Sequence, residues 1–156
     1  MRKLILITVL FFSFFNYNCS SDDALDSDKN DYLIFGHFYG MCVGDGCVVT
    51  YKLTNEKLYE DINHNYSGTD LNFKELENNK FEQVKDLTDY FPSELLSENE
   101  DVFGCPDCAD QGGLFIQISQ GGVIKSWRID QQKENVPEYL QGFMDKVNEK
   151  IELINN

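Results

Sequence analysis

Four cysteines in two close pairs, Cys42-x4-Cys47 and Cys105-x2-Cys108, are the residues whose type and spacing could do chemistry. Four thiols allow three disulfide connectivities, and spacing alone does not choose among them. Cys42 and Cys47 flank Val43-Gly44-Asp45-Gly46, which has the length and the glycines of a hairpin loop, so a bridge across it is geometrically ready. The expectation is two local bridges, Cys42 to Cys47 and Cys105 to Cys108, with crossed bridges joining the two loops as the alternative. Brought together, the same four thiolates would close a tetrahedral zinc shell. A third chemistry is a redox dithiol at Cys105 and Cys108, in which a helix N-terminus lowers the first thiol's pKa. Here Ala109-Asp110-Gln111-Gly112-Gly113 and a strand pattern follow the motif, so that activation is missing.

Other reactive sets are weaker. The chain has two histidines, and G-x-S-x-G, a Gly-rich phosphate loop and H-E-x-x-H are all absent. His37 falls in an aromatic strand and reads as a satisfied structural residue; His64 falls in a loop and reads as solvated. Asp61-x-Asn63-x-Asn65 begins like a calcium loop. Tyr66 then stands where the sharp turn needs glycine, and Asn72 where a bidentate glutamate would close the shell, so an ordinary Asn/Asp turn is expected. No catalytic residue, cofactor or resident metal is assigned.

The fifth cysteine belongs to a different segment. Arg2 and Lys3 precede an uncharged run, Leu4 to Phe15, too short to span a bilayer as a helix, which is the form of a secretory signal peptide. Cys19 follows, then Ser20-Ser21-Asp22-Asp23. A lone cysteine after such a run resembles a lipoprotein acceptor, cut before the cysteine and acylated on it; Asn18 and Asn16 replace the small and aliphatic residues usual before that cysteine. Ordinary cleavage, leaving Cys19 free or disulfide-bonded, is the alternative. The C-S-S-D-D start, with G-x-x-x-G-x-C at Gly36 to Cys42, G-C-P-D-C-A-D at Gly104 to Asp110 and W-x-I-D at Trp127 to Asp130, resembles small flavobacterial lipoproteins of the Bacteroidota that have no assigned activity. That resemblance implies an outer-membrane, surface-exposed location and no chemistry. Oxidising export favours disulfides over zinc at the four remaining cysteines.

The charge agrees with export. The chain carries 27 acidic and 13 basic residues, a net charge of −14, which becomes −16 once residues 1–18 are removed. Such a chain repels phosphate backbones, which excludes nucleic-acid binding as a main function, and it leaves membrane attachment to the acyl chains. Solubility and mutual repulsion account for the acidity; a basic partner, cationic peptide or divalent ion is the sharper reading.

Three segments follow from composition: a signal peptide over 1–18, an acylated Cys19 with an acidic flexible tether to Asn30, and one globular domain over 31–156. Within the domain, Leu33, Phe35, His37 and Tyr39 alternate with Tyr32, Ile34 and Phe38, both sets largely apolar, as in a central strand covered on both sides. Strands are also expected over Val48 to Leu53, over Lys57 to Glu60, and in a hairpin turning at Gln120-Gly121-Gly122. Asn79 is placed to cap a helix with Glu82 completing a capping box, and Phe81, Val84, Leu87 and Phe91 follow at helical spacing before Pro92. Pro137 opens a closing helix with the stripe Val136, Leu140, Phe143, Val147, Ile151 and Ile154. The expected fold is α+β: a single antiparallel sheet of about five strands with two helices packed on it, in the order ββ(β)αββα. The leading functional expectation is a lipid-anchored, non-enzymatic binding or protective module, stapled by its cysteines, for a protein or glycan ligand. A thiol-disulfide oxidoreductase or redox sensor using Cys105 and Cys108, and an acidic inhibitor or immunity-like protein for a basic partner, are the alternatives.

Overall fold

A computed structural model describes residues 31–156. The expected signal peptide, Cys19 and the tether lie outside the described residues.

The domain is α+β, built on one seven-stranded sheet in the order β4-β3-β2-β1-β6-β7-β5. The strands are β1 Tyr32–Phe38, β2 Val48–Thr54, β3 Leu58–Asp61, β4 Phe73–Glu75, β5 Val102–Phe103, β6 Gly113–Gln120 and β7 Val123–Asp130. Strand β1 is central, pairing antiparallel with β2 (Phe35 opposite Tyr51) and with β6 (Phe35 opposite Ile116). That position explains its two apolar faces: Leu33 and Phe35 enter one core, while Ile34 and Phe38 enter another. Gly121 and Gly122, both at positive φ, turn the β6–β7 hairpin as a two-residue loop requires.

The expectation of about five antiparallel strands needs correction. β4 and β5 are two or three residues long, too short to show a period, and β5 runs parallel to β7, making the sheet mixed. Tertiary pairing alone creates them: Val102 lies opposite Arg128 and Phe103 opposite Ile129.

Helices α1 (Asn78–Val84) and α2 (Glu138–Asn155) pack on one face of the sheet. The capping box at Asn79 does not form. Glu77 occupies the cap position, the Asn79 carboxamide oxygen accepts from the Lys80 N–H, and Glu82 pairs with Lys85 instead. After Val84 the chain tightens into a 3-10 segment, Lys85–Tyr90, which keeps Leu87 buried, and another at Ser93–Ser97 buries Leu95. In α2 the buried stripe is Leu140, Phe143, Met144, Val147, Ile151 and Ile154, joined by Lys150. The Lys150 ammonium is satisfied by the Gln83 carbonyl at 2.9 Å and Asp86 at 2.6 Å, which ties α2 to α1 and holds the Asp86 carboxyl below its usual range.

The opposite face carries a smaller apolar cluster, Ile34, Phe38, Val48 and Phe115, with Tyr32, Leu71 and Phe73 packed against them. Its cover is the irregular segment 62–72. Gly68 lies at φ 71°, and a Cβ there would come within 2.8 Å of the Phe115 ring, so glycine lets the segment lie against the sheet.

Candidate functional site

Both cysteine loops leave the same end of the sheet, where Phe38 at the end of β1 faces Gly113 at the start of β6. Cys42 is bonded to Cys47 and Cys105 to Cys108, each pair with its Cα atoms 5.5 Å apart. In the first loop the Tyr39 N–H donates to the Cys47 carbonyl at 2.9 Å and the Cys47 N–H to the Gly44 carbonyl at 3.1 Å. Cys47 is buried, whereas Met41 is 80% and Val43 fully exposed at the loop's tip.

The second loop is a hydrogen-bonded turn, with the Cys108 N–H donating to the Cys105 carbonyl at 3.1 Å. Pro106 presets the first turn position and Asp107, at φ 63°, takes the left-handed second one. No helix follows Cys108, and Cys105 and Cys108 are both exposed. The turn therefore presents a disulfide without the helix dipole that would activate a thiolate.

Two aspartates hold this end together. One Asp107 carboxylate oxygen accepts from the Gly40 N–H at 2.7 Å and from the Tyr66 hydroxyl at 2.9 Å, and the other from the Gly112 N–H at 3.0 Å. It thereby ties the second cysteine loop to the first and to the covering segment. A Cβ on Gly40 would come within 2.3 Å of the Asp107 carboxylate, so a larger residue would displace that carboxylate from its present bonds. Partial burial, and then Asp107, raise the Tyr66 pKa, so the hydroxyl stays a donor. Arg128 lies 3.7 Å above the Phe38 ring and donates to the Tyr66 carbonyl at 3.1 Å, pinning the segment from below.

Asp130, fully buried at the end of β7, accepts from the Cys105 N–H at 3.0 Å, the Gln132 N–H at 2.9 Å, the Asn135 amide at 2.9 Å and the Gln111 amide at 3.4 Å. Burial opposes its charge, but these donors outweigh it and hold the carboxyl below its ordinary value. Asp61 plays the corresponding part in the covering segment, accepting from the N–H groups of Asn63, His64 and Asn72. Its carboxylate is thus turned onto backbone rather than outward to a cation. Among the described residues no group of three or more His, Cys, Asp or Glu side chains is placed to hold a metal ion.

The histidines do not face a nucleophile. His37 Nε2 lies 3.2 Å from the Gly46 carbonyl, and burial lowers its pKa, partly offset by that carbonyl. His64 is not merely solvated: half-buried and at φ 50°, its Nδ1 lies 3.0 Å from the Val48 carbonyl. Sequence reasoning read the Asn/Asp turn at Asp61, whose carboxylate accepts from the next residues' N–H groups, but missed the parts of Asp107 and Asp130 among the many acids. A signal was available for one, since aspartate directly after proline in a four-residue turn favours the left-handed position.

No protein-family model matches this chain, and no curated protein does.

Proposed function

We propose that this chain is a lipid-anchored lipoprotein of the outer membrane, surface-exposed, whose domain is a non-enzymatic binding or protective module stapled by its cysteines. One observation carries the reading: the four cysteines of the domain pair within their own loops, leaving Cys19, behind a signal-peptide pattern, as the odd cysteine. Among the described residues no helix is long and apolar enough to cross a membrane; in this proposal acyl chains on Cys19 supply the attachment. Two disulfides, each closing a short loop, suit a domain outside a reducing compartment.

The test is intact mass, thiol trapping and metal content on unreduced protein taken from membranes. Acylated Cys19 with four untrappable sulfurs supports the proposal. A mass without acyl chains removes the anchor, and four free thiols released with one zinc would replace the staples by a metal site. The exposure of Cys105 and Cys108 favours a second reading as a redox pair. That reading requires their disulfide to exchange rapidly with small thiols and a Cys105→Ser variant to abolish exchange while the domain stays folded.

A further inference from the structure

At the cysteine end of the sheet, on the helix side, a cleft of about 640 Å³ opens between the end of β1, the last turns of α2 and Gln131. That volume lies within the range of small-ligand sites. Its polar wall is made of His37, Tyr39, Gln131, Asn148, Glu152 and Asn155, with no lysine or arginine.

The hydrogen bonds already made determine which groups remain for a ligand. The hydroxyl of buried Tyr51 donates to the Asn155 carboxamide oxygen at 2.7 Å, which leaves the Asn155 NH₂ as a donor to the cleft. The Asn148 NH₂ donates to the Gln131 carboxamide oxygen at 3.3 Å, leaving the Gln131 NH₂ as a second donor and the Asn148 oxygen as an acceptor. His37, with Nε2 on the Gly46 carbonyl, offers Nδ1 as an acceptor, and Glu152 adds a carboxylate. Tyr39 supplies an aromatic ring at 5.1 Å from the His37 ring.

We infer that this cleft binds a neutral saccharide. Fixed donors and acceptors, interspersed, match hydroxyl groups, each of which both donates and accepts, while an aromatic face suits the C–H side of a sugar ring. The absence of a cationic group from the wall disfavours sulfated or carboxylated glycans and phosphates. The inference deepens the binding-module reading and rests on it, but not on the lipid anchor.

The test is saturation-transfer NMR on the full mature protein in detergent, with maltotriose, cellotriose and triacetylchitotriose as neutral probes and trigalacturonate and trilysine as charged ones. Transfer to at least one neutral trisaccharide is expected. Its affinity should fall roughly three- to tenfold in Gln131→Ala, the loss expected for one hydrogen bond. Gln131→Ala leaves the Tyr51–Asn155 bond in place, so an unchanged thermal midpoint separates lost recognition from lost folding. Tyr39→Ala should weaken binding further. Transfer to no neutral probe, to trilysine alone, or to a saccharide whose affinity neither variant alters overturns the inference. Acylated protein that binds no saccharide defeats this inference alone; unacylated protein that binds defeats only the anchor.

Discussion

On the helix side of the sheet, α1, α2 and the 3-10 segments bury a continuous apolar cluster around Phe35, Tyr51, Ile116 and Trp127. On the other side the apolar cluster has only four buried residues, and the irregular segment 62–72 lies over them. The first side is held chiefly by area removed from water, a non-directional term, with the Lys150–Asp86 pair added where α2 meets the end of α1. The second is held at specific atoms, where Asp61 and Asp107 collect the backbone N–H groups of crossing segments and Arg128 stacks on Phe38. Such contacts specify one arrangement of loops, but they fail as units when one carboxylate is removed.

The contrast can be broken at graded positions. Phe35→Ala, at the centre of the helix-side cluster, should cost about 3–5 kcal/mol and lower the urea midpoint at every pH tested, since it opens a cavity. An equal loss from Phe38→Ala on the other face would erase the distinction.

Asp130→Asn should cost about 2–3 kcal/mol, because buried N–H donors lose a charged acceptor. The pH dependence follows from the sign of its shift. A carboxyl held below its ordinary value contributes stability that is fully present above the unfolded pKa of about 3.9 and lost as pH falls through the folded value. Midpoints measured on the way down from pH 5 should therefore drop more steeply in the native protein than in the variant; parallel curves would remove Asp130 from the acid response.

Asp107→Ala should cost about 1–2 kcal/mol globally, while making segment 62–72 the first site of limited proteolysis. Cleavage elsewhere first would show that the segment does not depend on this carboxylate. Smallest of all is Lys57→Ala. Its 2.8 Å pair with Glu75 links β3 to β4 at the exposed edge, and no change in midpoint is expected; a clear drop would mean that the edge is held by charge.

How much of this was legible depended on repetition along the chain. Leu33 to Phe38 announces a central strand because alternation continues over enough residues to define two faces, and the α2 stripe does the same at helical period. The Cys42–Cys47 pairing was legible for a related reason, as glycines between nearby cysteines make a local loop closure short. β4 and β5 carry no such signal, and the capping box at Asn79 failed because a three-residue pattern is easily outweighed by the packing of Phe81 and Val84. The candidate saccharide wall was wholly illegible: Gln131 and Asn155 are ordinary polar residues until the fold sets them beside His37.

Local chemistry therefore determined the α+β class, the central strand, the β6–β7 hairpin and the closing helix. These depend on interactions between residues a few positions apart, whose spacing is written directly in the chain. Only the tertiary structure decided the parallel edge strand, the joining of Cys105 to the end of β7 by Asp130 and the meeting of the two cysteine loops at Asp107. Each of those rests on a contact between distant segments, such as the 67 positions that separate Gly40 from Asp107. Its energy comes from which backbone N–H groups the folded sheet leaves facing a carboxylate, and no periodicity along the sequence encodes that.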